Sequence, residues 1–262
     1  MKSNFKNKKL IVFDIDGTLT PSKAPADREM IALLLRLLEA CFVAVISGGK
    51  YGLFKEQLVR QLPQRDPRLK RLYLFPTTAT SFYKYSGTWK KIYKFELSPK
   101  ERKDIKKAFG EVFKEIGYAH PKKTYGKVIE DRRTQVTFSA LGQEVVAMLG
   151  KRKGVRLKEE WRKKNTPLKL KIAKLLQKKL PNLEVHAAGF TSIDVTRKGI
   201  DKAYGLRQIE KRLGIKIKDM LFVGDAIFPG GNDYAVVRTG VDYLKVKGPE
   251  DTKKIIKFLL SR

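Results

Sequence analysis

Two aspartates one residue apart, at the end of an apolar run, open the chemistry of this chain: Asp14 and Asp16 in Phe13-Asp14-Ile15-Asp16-Gly17-Thr18. Ser47-Gly48-Gly49 follows, then Lys202, then Gly224-Asp225 leading into Pro229-Gly230-Gly231-Asn232-Asp233. The set contains a nucleophile, an acid/base, a holder of phosphate oxygens, a cation and a metal carboxylate, which is the inventory of a phosphoryl-transfer site. A phosphate ester resists attack because the phosphoryl group is already negative. Catalysis must screen that charge, align a nucleophile and protonate the leaving oxygen. Asp14 is the candidate nucleophile, giving an aspartyl-phosphate. Asp16 can turn back to the same space because Gly17 permits a sharp bend. It would protonate the leaving group, then deprotonate the attacking water or hydroxyl. Carboxylates this close to a phosphate need a hard cation, and an oxygen-only set of Asp14, Asp16 and Asp225 favours magnesium. Lys202 would neutralise charge on the nucleophile and the phosphoryl oxygens. Ser47, with Gly48 and neighbouring backbone amides, would hold those oxygens, and Asn232 is a further candidate substrate contact.

These residues need elements that bring them together. Leu10 to Phe13, Phe42 to Ile46, Leu72 to Phe75 and Met220 to Val223 are short apolar runs that end in turn or acidic residues, as buried parallel strands do. Between the first two, leucines at 33, 34, 37 and 38 mark a helix from Asp27 to Ala40, with Asp27 as its cap. Helices are also predicted over Tyr51 to Leu62, Lys202 to Leu213 and Asp251 to Leu260. Strand–helix–strand order with ligand-like residues after each strand predicts an α/β fold whose parallel sheet binds its ligand at the carboxyl ends of the strands. The pattern changes near residue 80. Ser81 to Phe95 alternates around Ser86-Gly87 as a hairpin, and Ser98 to Ile116 is a charged amphipathic helix with a Ser98…Glu101 capping box. Lys127 to Glu130 and Gln135 to Ser139 pair as strands, Leu168 to Leu180 is a helix ended by Pro181, and Val185 to Val195 supplies one or two more strands. The expected division is a core of residues 1–81 and 196–262 with an α+β insert of residues 82–195.

Bulk properties limit the alternatives. Apolar residues make up 42% of the 262, enough for a real core. No apolar run approaches the roughly 20 residues that span a bilayer. The basic start, Met1 to Leu10, precedes an apolar stretch that stops at Asp14, too short for the hydrophobic region of a signal peptide. The single cysteine, Cys41, excludes an intramolecular disulfide and reads as buried filler in a reducing compartment. A soluble, cytoplasmic protein without membrane partners is expected. Lys and Arg total 57 against 27 acidic residues, a net charge of +30. Such a surface attracts polyanions. The excess lies in short scattered clusters without zinc-ligand spacing, an RNA-binding sheet signature or a basic zipper. Nucleic acid is therefore expected only as a weak, nonspecific ligand.

The four core motifs, in this order, resemble those of the haloacid dehalogenase superfamily. The resemblance implies a Rossmann-like core and an inserted α+β cap of type 2b. It also implies nucleophile Asp14, acid/base Asp16 ligating magnesium through its carbonyl, and roles for Ser47, Lys202 and Asp225 as above. Within that superfamily the chain is most similar to eukaryotic-type phosphomannomutases. Phe13 to Thr20, Ser192-Ile193-Asp194-Val195, Asp201-Lys202 with Tyr204, Gly224-Asp225 with Pro229 to Asp233, and Pro249 to Thr252 carry that likeness. Ile129 to Arg132 and Ser139 to Gln143 look like the family's cap strand pair. There the likeness implies a phosphate-gripping role for Arg132, sugar contacts at Ser192 and Asp194, and homodimers formed through caps. Gln143 stands where the family has a second arginine, and a glutamine offers no charged fork.

That departure shapes the expected activity. A mutase must retain a sugar bisphosphate and exclude water, whereas a phosphatase admits one ester and one water. Hydrolysis of a phosphorylated sugar is the first reading, and interconversion of hexose 1- and 6-phosphates the second. A polynucleotide-end phosphatase and a non-catalytic anion- or RNA-binding module come after them.

Overall fold

Alternation along the first strand sets the layers of the molecule. In β1 (Leu10–Phe13), Ile11 and Phe13 join one buried cluster, while Leu10 and Val12 join another on the opposite face. A strand buried on both faces must be covered by helices on each side. The computed structural model describes residues 5, 7–21 and 24–261, so half of the basic start of the chain, residues 1–4 and 6, lies outside the described residues.

The first unit comprises Met1–Lys94 and Asp201–Arg262. After β1 come α1 (Arg28–Ala40), β2 (Phe42–Ile46), α2 (Tyr51–Gln57), β3 (Leu72–Phe75) and a four-residue turn, α3 (Pro76–Ala79). The hairpin β4 (Ser81–Tyr85) and β5 (Trp89–Lys94) follows. The second unit, Phe95–Ile200, contains α4 (Pro99–Glu115), β6 (Ile129–Asp131), β7 (Val136–Ser139), α5 (Val145–Leu149), α6 (Lys151–Lys179), β8 (Leu183–His186) and β9 (Ser192–Arg197). The chain then returns to the first unit with α7 (Lys202–Leu213), β10 (Met220–Gly224), β11 (Asp242–Lys245) and α8 (Pro249–Leu260).

Seven strands of the first unit form one sheet in the order β11-β10-β1-β2-β3-β4-β5. The first five are parallel, and β4 and β5 add antiparallel to the β3 edge. The chain leaves β1 towards β2 and leaves the adjacent β10 towards β11, in opposite directions, which puts a topological switch point between the carboxyl ends of β1 and β10. Helix α1 lays Met30, Leu33, Leu34, Leu37 and Leu38 on one face of the sheet, and α7 lays Leu206 and Ile209 on the other. Asp27 caps α1 by accepting the Met30 amide at 2.8 Å, as its position predicts.

Cys41 ends α1 at 8% exposure, and burial pushes its thiol up to about 12. The native thiol is therefore expected to resist a disulfide-exchange reagent at about pH 8 and to react fully once the chain is denatured. Rapid labelling of the native protein would contradict this burial.

Two features depart from the expected organisation. The hairpin expected to begin the insert belongs to the first unit's sheet, because Tyr73 and Leu74 pair with Lys84 and Tyr83 and the Phe82 ring stacks on Phe75 at 4.5 Å. The second unit accordingly begins at Phe95 and ends at Ile200 rather than spanning 82–195. Helix α6 starts at Lys151, not Leu168. Pro167 lies inside this helix, although proline disfavours the helical conformation in the residue before it. Asn165 Nδ2 and Thr166 Oγ1 bond the carbonyls of Trp161 and Arg162 in the preceding turn.

The second unit is a four-stranded antiparallel sheet, β6-β7-β9-β8, packed on α4 and α6. Val136 and Phe138 of β7 and Ile193 and Val195 of β9 meet Phe109, Ile172 and Leu176. The alternate positions, Thr137, Ser139, Ser192 and Asp194, therefore fall on the other face. No helix among the described residues is long and apolar enough to cross a membrane.

Candidate active site

Three strand ends and one helix start build the site of the first unit. Asp14 follows β1, Ser47 follows β2, Asp225 follows β10, and Lys202 is the first residue of α7. Parallel register places Phe13 beside Val45 and Val223, so the residues just beyond these strands emerge at one edge of the sheet.

Lys202 is the centre of the electrostatics. Its side chain is 3% exposed, and Nζ donates to both Asp14 Oδ1 and Asp233 Oδ1. A cation at a helix N-terminus opposes the helix dipole, so these carboxylates must hold it there. Burial works against the ammonium charge, yet Asp14 and Asp233 outweigh it and raise the Lys202 pKa above the usual lysine range. Burial pushes Asp14 well above the carboxylate range; Lys202 opposes the shift, while Asp233 and Asp225 add to it. Asp225 is raised to about 6 by burial and by Asp233.

Asp14, Asp225 and Asp233 each bring a carboxylate oxygen to within 4.8 Å of the others. Several carboxylates around one ammonium leave excess negative charge in a buried space. The donors are all hard oxygens, so this arrangement fits a magnesium ion. Asp233 therefore joins the candidate metal set that the sequence confined to Asp14, Asp16 and Asp225. Gly17 makes the close approach possible. At φ +82°, a Cβ on it would lie 2.6 Å from Asp225 Oδ2.

Asp16 is oriented by a residue that sequence reasoning passed over. Gln57, wholly buried on α2, donates from Nε2 to Asp16 Oδ1 at 2.8 Å and to Thr20 Oγ1 at 3.1 Å. A polar residue within the apolar stripe of Phe54 and Leu58 was the available signal. Gln57→Leu is expected to lower turnover about tenfold, the worth of one hydrogen bond that would aim the candidate acid/base Asp16. A shifted pH–rate profile with an unchanged melting temperature would distinguish lost aim from lost folding.

Ser47 is 5% exposed, and its Oγ accepts the Gly49 amide at 3.2 Å. The Ser47-Gly48-Gly49 loop is braced by α3, whose Thr77 and Thr78 amides donate to the Gly49 and Ser47 carbonyls at 2.9 Å. Thr77, Thr78 and Ala79 all adopt positive φ, a left-handed run that costs roughly 1–2 kcal/mol per residue outside glycine. Asn232 is exposed, whereas its neighbour Asp233 is fully buried.

The remaining sequence-derived candidates lie in the second unit. Arg132 donates from Nε to Glu130 Oε2 at 2.8 Å and from a terminal nitrogen to Gln143 Oε1 at 3.1 Å. Asp194 accepts from Thr137 Oγ1 at 2.6 Å, and Ser192 stands opposite Ser139 in the β7–β9 ladder. The structure thus joins Arg132 to Gln143 and sets Asp194 and Ser192 on one strand.

Comparison with known proteins follows the same outline. The family profile described as eukaryotic phosphomannomutase matches residues 30–262. The phosphomannomutase of Saccharomyces cerevisiae (strain ATCC 204508 / S288c) is 26% identical over 256 residues, covering 96% of this chain and 94% of that protein. That of Spinacia oleracea is 27% identical over 251 residues, covering 94% and 93%. Among solved structures, an N-terminally truncated Plasmodium falciparum IMP-nucleotidase superposes with a TM-score of 0.70 at 18% identity, over 98% of this chain and 71% of that one. Aspergillus fumigatus trehalose-6-phosphate phosphatase gives 0.54 at 17%, over 97% and 93%. At these identities the structural likeness speaks for the fold alone.

Proposed function

Because the chain belongs to the eukaryotic phosphomannomutase family of haloacid dehalogenase-type phosphoryl-transfer enzymes, we propose that it interconverts hexose 1- and 6-phosphates. The observation that carries this reading is the extent of the family match. It runs through residues 95–200 as well as the core, and the core motifs alone would fit any phosphatase of this fold.

In the proposed mechanism, an Asp14 carboxylate oxygen attacks the phosphorus in line. The ester bond to the sugar oxygen breaks as Asp16, aimed by Gln57, supplies the leaving oxygen with a proton. The resulting aspartyl-phosphate is attacked by a sugar hydroxyl whose proton returns to Asp16, regenerating the Asp14 carboxylate. Lys202 holds the nucleophile and its added negative charge throughout. Ser47 and the Gly48 amide are suited to hold the transferred oxygens. Magnesium would be held by Asp14, Asp225 and Asp233, with the Asp16 carbonyl as the resemblance implies, and would screen the phosphoryl charge when bound. In the second unit, Arg132, Ser192 and Asp194 are the proposed sugar-phosphate contacts.

One observation favours simple hydrolysis as a second reading. Gln143, in place of a family arginine, spends its carbonyl on Arg132, whose fork also faces Glu130. That leaves less positive charge for a bisphosphate.

Phosphorus NMR with magnesium, mannose 1-phosphate and a trace of the 1,6-bisphosphate separates the two. Growth of a hexose 6-phosphate signal without free phosphate is expected. Free phosphate accumulating with every turnover would replace the mutase reading with hydrolysis.

A further inference from the structure

Three cations of α6 converge on the loop between β8 and β9, and two of them are buried. Lys158 and Lys169 are 7% and 6% exposed. Lys169 Nζ donates to the Gly189 carbonyl at 2.8 Å. The Arg162 guanidinium lies 4.3 Å from the centroid of the Phe190 ring, and Lys158 Nζ lies 5.9 Å from the same ring. Among the described residues, no carboxylate forms an ion pair with Arg162 or Lys169. Asp194 acts on Lys169 only at longer range, while burial and then Arg162 hold the Lys169 pKa below the usual lysine range.

At Lys169 and Arg162, positive charge beside an aromatic ring and without a directly paired carboxylate favours an incoming anion. Arg162 is exposed, so an anion can reach the cluster. A lysine point charge beside a planar arginine fork suits a phosphoryl group. Phe190 leads, through the buried Thr191, into Ser192, whose hydroxyl would face the polar remainder of such a ligand. We propose that Lys169 and Arg162, backed by Lys158 and Phe190, form a phosphoryl-binding subsite of the second unit. It supplies the anion grip that Gln143 cannot, and as a substrate subsite it rests on the sugar-phosphate reading given above.

Binding to the full-length protein carrying Asp14→Asn, which blocks turnover, tests this. Lys169→Gln is expected to weaken glucose 1,6-bisphosphate about tenfold, one charge-assisted hydrogen bond, and glucose 1-phosphate by clearly less. Lys169→Arg should retain most of the bisphosphate affinity. Equal weakening of both ligands, or of neither, overturns the subsite. If neither sugar phosphate binds the parent protein, the sugar reading fails and inorganic phosphate decides the subsite separately. Phosphate should then shift the Gly189 and Phe190 amide resonances in the parent and not in Lys169→Gln. Resonances that stay in place would overturn it. Should Lys169→Gln fail to fold, Arg162→Gln, at an exposed position, carries the same comparison.

Discussion

Asp14→Asn is expected to abolish phosphoryl transfer while leaving the protein at least as stable as its parent. An amide is no nucleophile for phosphorus, and loss of a residue that forms the covalent intermediate costs at least about 10⁴-fold in turnover. Stability should move in the other direction. Asp14 is 2% exposed, and its charge is opposed by burial and by Asp233 and Asp225, with Lys202 the compensating cation. Asparagine removes the unfavourable charge and leaves Lys202 paired with Asp233. In chelator-containing buffer the melting temperature should stay level or rise by a few degrees, a gain of about 1 kcal/mol. Phosphoryl transfer above about 1% of the parent rate would remove Asp14 as nucleophile. A clear drop in melting temperature would mean that the Asp14–Lys202 pair is a net source of stability.

Lys202→Met, at the other end of the same ion pair, should do the opposite to the fold. Methionine matches the lysine stem but leaves Asp14 and Asp233 facing each other in a buried space without a cation. Breaking one side of a buried pair costs about 3–5 kcal/mol, or on the order of 10 °C in melting temperature for a chain of this size. Turnover should fall by at least about 10²–10³-fold, the effect of removing one charge-stabilising group from a reacting centre. The asymmetry between the two variants is the informative result. Adding Asp14→Asn to Lys202→Met should restore much of the lost stability, since it removes one of the two orphaned carboxylates. Saturating magnesium should also recover part of it, by binding only the folded protein. If Lys202→Met melts like its parent, Lys202 is not compensating buried charge.

The candidate site residues were readable because they sit where the local pattern changes. Phe13-Asp14, Ile46-Ser47 and Gly224-Asp225 are abrupt ends of apolar runs, and Asp201-Lys202 begins a helix. Buried strands and caps are local events, so single-sequence patterns expose them. What stayed hidden depends on neighbours far along the chain. Asp233 looked like one more polar residue in a glycine-rich loop, and only the fold of that loop turns it onto Lys202 and the Ala226 amide. Gln57 drew no notice in a helix whose other buried face is apolar, because its partner Asp16 stands 41 residues earlier. The hairpin of β4 and β5 is locally clear, but its membership of the larger sheet comes from pairing with β3. Helix α6 begins 17 residues before the expected Leu168, and its cation cluster needs Phe190 from a loop between two strands to become visible.

Asp14 and Lys202 are separated by 188 residues, with the whole second unit between them. On a ribosome adding about 5–20 residues per second, roughly 10–40 s pass between the synthesis of Asp14 and that of its counter-ion Lys202. Asp233 and Asp225 arrive later still. Through that interval β1, β2 and β3 can pair, but β10 is missing from the position beside β1 and the strand stands as an open edge. The nascent protein is thus inert, with an apolar strand uncovered on one side. Assembly of the site is one of the last events in its folding, and a chain released before β10 would carry every motif up to Lys202 without a working centre.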